Sequence, residues 1–384
     1  MTATHGVEAP VPQLPEPATP PDRRGSPIPT FALITTRFLE LRKRRGLMIT
    51  LFLVTVGIPT VFLSVRLVLH AAAPKTYGPA GGYDIYTALT AGVLYTFGFI
   101  VAAALGCTAG SVDLTEGMFR HLVVTGRSRV ALYLARIPAG LAIIGPLVAI
   151  GFTVVCGVCV FAAPSSLNLN GMTVPSGLSQ SSLENWAADH AQEVLCELPY
   201  DNININVSCG GATAPPGPGT PLKIVPQRGN IPVATAAQMQ AAARQVAQQN
   251  YSDYSHNFRI PSNSLMVKTG LWLELEAAVG FLVGLALGSL LGQRTAGVIL
   301  MIILEVVLTP LVLRAKVPHL ENLQRAVVGV ATAHLEPGQL PLAFGGGGHD
   351  YRLTESTTTA IIVILAWIIG WTALGAWRMA TRDA

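Results

Sequence analysis

Ile85-Tyr-Thr-Ala-Leu-Thr-Ala-Gly-Val-Leu-Tyr95-Thr-Phe-Gly-Phe-Ile-Val-Ala-Ala-Ala-Leu-Gly-Cys107-Thr-Ala-Gly-Ser-Val112 is a run of 28 residues without one charged side chain. As a helix rising about 1.5 Å per residue it outreaches a hydrocarbon core of about 30 Å, so the run predicts a tilted or overhanging membrane span. Five further uncharged or nearly uncharged runs lie on either side: Leu47 to Leu69, Val130 to Ala163, Leu271 to Gly292, Ala296 to Leu313, and Ser356 to Trp377. Only Gln293, Arg294 and Thr295 separate the fourth run from the fifth, which predicts a tight antiparallel hairpin. The composition agrees. Of 384 residues 51% are hydrophobic and 12% charged, against about 25% charged in soluble proteins, so several water-soluble cores are excluded and an all-α polytopic membrane protein is expected.

Arginine and lysine placement predicts the orientation. Arg37, Arg42, Lys43, Arg44 and Arg45 precede the first span, Arg120, Arg127 and Arg129 follow the second, Arg294 sits in the hairpin, and Arg378 and Arg382 end the chain. Six spans put all of these on one face, which the positive-inside rule makes cytoplasmic, with both termini inside a plasma (bacterial inner) membrane. A net charge of +4 gives no reason to expect nucleic acid.

Residues 1–30 hold eight prolines and no apolar run, and are expected to form a disordered cytoplasmic tail. Over 31–45, Phe31, Ile34, Phe38 and Leu41 recur at helical spacing with Arg37, Glu40, Arg44 and Arg45 at other angles, predicting an interfacial amphipathic helix. The segment 46–163 then holds spans one to three. The segment 164–268 is too long for a bare connection and is expected to be an extracytoplasmic domain. In it Ser181 and Glu184 suggest a capping box before a helix reaching Leu198, Asn202 to Val207 alternates like a strand, and Thr235 to Gln249 is a good helix former. Spans four to six occupy 269–384, with a helix over 318–334 lying either in the outer leaflet or in a solvated loop. Cys107, Cys156 and Cys159 read as small hydrophobes in apolar runs. Cys196 and Cys209 are expected either bridged or as free thiols.

No phosphate loop, zinc helix or nucleophile elbow occurs, so any ATP and Mg chemistry belongs to another chain and no cofactor is expected on this one. His319, His334 and the Gly345 to Gly348 run lack partner spacing. The informative segment is 111–129. Asp113 and Glu116-Gly117 leave the membrane, Met118, Phe119, Leu122 and Val123 give an apolar face beside Arg120, and Gly126-Arg127-Ser128-Arg129 turns back toward Ala135-Arg136. In this order of acid, Gly-x-x-Arg, Gly-x-Ser-Arg and Ala-Arg the chain resembles the permease subunits of type-two ABC exporters. The resemblance implies that 111–129 is a coupling segment docking a separate ATPase through Asp113, Glu116, Gly117, Arg120, Arg127 and Arg129. It also implies a second permease copy or paralogue as partner. One departure stands out: the family's larger outer segment lies between the last two spans, whereas here it follows the third, so no family role carries over to 164–268.

Glu305 falls midway along the fifth run among Val, Ile and Leu. A charge there opposes insertion by about 2.5–3.5 kcal/mol on translocon scales, so it should face the bundle. It is expected either as a protonated glutamate hydrogen-bonded to a neighbouring helix or in a translocation pathway or dimer interface, with Arg66 and Arg136 as candidate partners. Other functional classes remain: a membrane-anchored sensor or scaffold with a ligand-binding outer domain, a membrane-embedded transferase, or a secondary transporter.

Overall fold

The computed structural model describes residues 26–73, 76–115, 128–169, 172–197, 207, 234–314, 319–337 and 355–381. Of the described residues about 82% are helical. Six helices among the described residues are long and apolar enough to cross a membrane: α2 (Arg45–Ala72), α3 (Tyr83–Asp113), α4 (Arg129–Phe161), α9 (Asn263–Leu291), α10 (Arg294–Val312) and α13 (Thr357–Thr381). This is a multi-pass helical membrane protein. The fourth of these starts at Asn263, not near Leu271, because the Ser262 side chain accepts from the Leu265 N–H and caps it. It ends on Gly292 at φ 68°, a left-handed cap, and the extended Gln293 is the whole link to α10.

The shares of each apolar window buried by protein separate a centre from a rim. They are 67% for α3 and 72% for α9, against 17–28% for α2, α10 and α13. The rim helices leave Phe52, Val61, Val65, Ile299, Ile303, Val307, Ile362, Leu365 and Ile369 exposed, an apolar belt of the kind lipid tails cover. The central pair is in backbone contact. A methyl group on Gly106 or Gly110 would strike the backbone of Phe281 and Leu285, and one on Gly284 or Gly288 that of Ala103 and Cys107. The two helices thus interlock small residues at four-residue spacing, the arrangement that lets backbones approach where no hydrophobic effect drives association.

Three spans contain a π-helical turn: Leu53–Gly57 in α2, Thr90–Tyr95 in α3 and Ile303–Leu308 in α10. Pro59 and Pro310 explain two of these. Each lacks an N–H for the carbonyl four residues back, and the preceding turn widens to accommodate the ring. Threonine hydroxyls take up slack five residues back: Thr96 Oγ1 donates to Ala91 O at 3.4 Å, and Thr309 Oγ1 to Leu304 O at 3.0 Å.

At one end of the bundle α1 (Phe31–Lys43) packs along the start of α4, burying Leu33, Arg37 and Leu41 while Phe31 is 83% exposed. The stripe read from the sequence was rotated: Arg37 points inward, for reasons given below. At the other end sits the insertion. It opens with an antiparallel hairpin, β1 (Ser166–Leu169) paired with β2 (Met172–Pro175), so the protein is not purely helical. Then follow α5 (Gln180–Asp189), α6 (Ala191–Glu197), α7 (Ala236–Gln249) and α8 (Tyr251–Asn257). The cap of α5 is Ser179, not Ser181, and the expected single helix breaks at His190. Thr235 and Gln238 form a full capping box on α7, as that composition predicts. Met172, Val174, Leu183, Ala187, Val194, Ala243, Val246 and Tyr254 close a core separate from that of the spans. Of the strand expected over Asn202 to Val207 only Val207 is described, and of the tail expected over 1–30 only 26–30; the rest lie outside the described residues. The insertion docks on α3 through His256 with Asp84 at 3.2 Å and Arg259 over the Tyr83 ring at 4.2 Å.

The segment expected as one helix over 318–334 is two short ones, α11 (Glu321–Arg325) and α12 (Val328–His334). Val328 to Ala333 are all buried, so α12 is neither solvated nor spread on a surface. Trp272 Nε1 donates to its Thr332 carbonyl at 2.9 Å, and Gly329 rests against Thr309.

Candidate functional site: an ion clamp and an intramembrane carboxyl pair

Asp113 ends α3 fully buried, between two arginines. Arg37 of α1 grips both its oxygens, Nη1 to Oδ1 at 3.0 Å and Nη2 to Oδ2 at 2.7 Å, and Arg136 of α4 pairs with Oδ2 as well. Arg37 Nη1 also reaches Glu40 at 2.6 Å, and Arg136 Nη1 the Gly110 carbonyl at 3.3 Å. Two cations therefore meet two anions. Burial works against the Arg37 cation, but Asp113 and Glu40 outweigh it and hold the guanidinium above its ordinary range. This revises the reading of Asp113 as an exposed docking residue: it is a buried joint fastening α1, α3 and α4 at the base of segment 116–127. Glu116, Gly117, Arg120 and Arg127 lie outside the described residues. Arg129 starts α4, half-buried, with Nη1 on the Ala380 carbonyl of α13 at 3.3 Å.

The second cluster lies at the depth of the spans. Tyr95 is the thirteenth residue of α3, Glu276 the fourteenth of α9 and Glu305 the twelfth of α10. Tyr95 and Glu305 both ride on π-helical turns, which recur at functional sites. The Tyr95 hydroxyl donates to Glu305 Oε1 at 2.6 Å, and its ring stacks on Trp272 with centroids 4.9 Å apart and 10° between planes. Glu276 stands one turn beyond Trp272, faces Glu305, and has Thr332 of α12 beside it. Glu276 is 2% exposed and Glu305 4%.

Glu305 therefore faces the bundle, as the cost of a lipid-exposed carboxylate demands. Its expected cationic partners are elsewhere: Arg66 Nη2 binds the Pro79 carbonyl at 2.6 Å, and Arg136 is committed to Asp113. Glu276 was missed from the sequence although the signal was the same, an acid inside an apolar span. Pro310, five residues after Glu305, marks the widened turn.

Cys107, Cys156 and Cys159 are free thiols within the spans. Cys196, at the end of α6, is disulfide-bonded, and Cys209, its expected partner, lies outside the described residues. No group of three or more metal-ligating side chains occurs among the described residues. No protein-family model, curated protein or solved structure matches the chain.

Proposed function

We propose that this chain is the membrane-spanning permease subunit of an ATP-driven exporter. It works as a pair of permease copies, or with a paralogue, and is driven by separate ATPase subunits that carry ATP and Mg. The observation that carries the reading is the Arg37–Asp113–Arg136 clamp. It joins the amino-terminal helix and the two spans that flank 116–127 into one rigid corner, so a displacement of that segment by a soluble partner moves both spans together. The sequence order Glu116-Gly117-x-x-Arg120 then Gly126-Arg127-Ser128-Arg129 supports the same partner. In this reading α1 lies on the cytoplasmic leaflet of the plasma membrane, both termini are cytoplasmic, and the insertion is extracytoplasmic. The nucleotide-driven closure of the ATPase pair would reach the spans as a rigid-body change of access.

The test is purification of the full chain with its native partners. A stable soluble ATPase supports the reading. Reversing the charge of Glu116 or Arg120 should leave the subunit in the membrane while abolishing stimulated hydrolysis or partner binding; two variants that bind and transport normally would reduce 111–129 to a topological signal. A second reading, an anchored sensor or scaffold, has in its favour the separate core of the insertion. It predicts ligand binding to 164–268 and no ATPase.

A further inference from the structure

The carboxyl pair has more acceptors than hydrogens to fill them. Glu276 and Glu305 bury four carboxyl oxygens in one cluster around Tyr95, Trp272 and Thr332, and each nearby hydroxyl has one hydrogen to give. Tyr95 spends its hydrogen on Glu305 Oε1 at 2.6 Å. The Thr309 hydroxyl lies 3.0 Å from the Leu304 carbonyl and 3.4 Å from Glu305 Oε2, so its better acceptor is the backbone. Thr332 reaches Glu276 with its side chain, and its Oγ1 also sits 3.2 Å from Val328 O and 3.3 Å from Gly329 O, so one hydrogen faces three acceptors. Trp272 Nε1 is taken by the Thr332 carbonyl. Glu276 Oε1 is left buried with no hydrogen-bond partner.

Nor does a positive charge balance the pair among the described residues. The titratable groups acting on Tyr95 beside the pair are Glu305, Glu276 and Glu336, just after α12, and none is a cation. His334 of α12 acts instead on Glu355, and Arg294 stands at the far start of α10. Two ionised carboxylates facing one another in a membrane interior repel and are both poorly solvated.

We propose that Glu276 and Glu305 form a proton-binding site within the membrane, the pair together holding one proton. The proton comes from water. It bonds to one carboxylate, with Glu276 Oε1 the buried oxygen still without a partner, and lowers the negative charge of the pair from two to one. Because the two groups interact, uptake and release belong to the pair and not to either residue. The proposal concerns the resting chain and does not depend on an ATPase.

The experiment uses the full-length chain in phosphatidylcholine nanodiscs with dicyclohexylcarbodiimide, which reacts with protonated carboxyl groups in apolar surroundings, and maps adducts by mass spectrometry. An adduct on Glu276 or Glu305 is expected, its rate falling about tenfold per pH unit above the titration of the pair. In Glu276→Gln and Glu305→Gln the pH at which the remaining glutamate loses reactivity should shift. No adduct on either glutamate across the accessible pH range overturns the proposal. So does protection by sodium ions at constant pH, which would make the site one for an alkali cation. The wild-type measurement stands even where a variant fails to fold.

Discussion

Asp113 shows how one buried anion can organise a corner of a membrane protein. Removing it strands two arginines that are 5% and 1% exposed. Breaking a buried ion pair by deleting one partner costs about 3–5 kcal/mol, so Asp113→Asn should lower the thermal unfolding midpoint of the purified chain by an amount a surface Asp→Asn change does not approach. Glu305→Gln keeps shape and removes charge; under the exporter reading it should preserve assembly and basal ATP hydrolysis while altering transport, and unaltered transport would leave Glu305 a packing role. Glu355, just before α13, offers a pH test outside the spans. Burial raises its carboxyl above the usual range, with His334 and Arg325 pulling the other way. A raised acid binds its proton more tightly folded than unfolded, so its contribution is present below the unfolded value and lost as pH rises through the folded one. Stability followed by denaturant titration should therefore decline less with pH in Glu355→Gln than in the parent chain.

Among the elements, the α3–α9 seam carries the most consequence for the smallest side chains. Gly280, Gly284 and Gly288 repeat at intervals of four and face Phe99, Ala103 and Cys107. That repeat is legible in the sequence as a small-residue motif, though which helix receives it is not. Gly284→Ala should destabilise by about 1–3 kcal/mol through overpacking, because the opposing atoms are backbone and cannot turn aside. Gly98→Ala is the control. It meets nothing within 4 Å on the same central helix, so the higher helix propensity of alanine should leave stability equal or slightly raised. Thermal unfolding of both variants in one detergent separates the seam from a general intolerance of alanine. The π turns follow a similar logic: Pro59 and Pro310 announce two of them, whereas the turn at Thr90–Tyr95 has no proline, and we have no sequence account of it.

Across the whole molecule the six spans, the short hairpin at Gln293 and the position of the insertion agree with one alternating path through a bilayer. The basic residues Arg42, Lys43, Arg129, Arg294 and Arg378 fall at helix ends consistent with a single face. Single cysteines at Ser128 and at Ser252, in a background without the free thiols, should react with an impermeant maleimide in intact cells only at Ser252. Labelling at Ser128 would reverse the orientation.

The sequence by itself determined six segments long and apolar enough to cross a membrane, because uncharged runs of span length have no other stable environment. It also placed Glu305 inside the bundle, since lipid would tax an exposed carboxylate wherever the neighbouring helices stood. Tertiary structure alone decided the partners. Asp113 looked like a loop acid because its two arginines are 76 and 23 residues away in the chain. The inward turn of Arg37 contradicts an apolar stripe read from one helix, and only the buried anion on another explains it. The meeting of Glu276 with Glu305 depends on two spans, two π turns and a buried short helix converging at one depth. Local pattern encodes which surfaces must leave water; pairing of charged groups across helices is a long-range property, fixed only when the bundle packs.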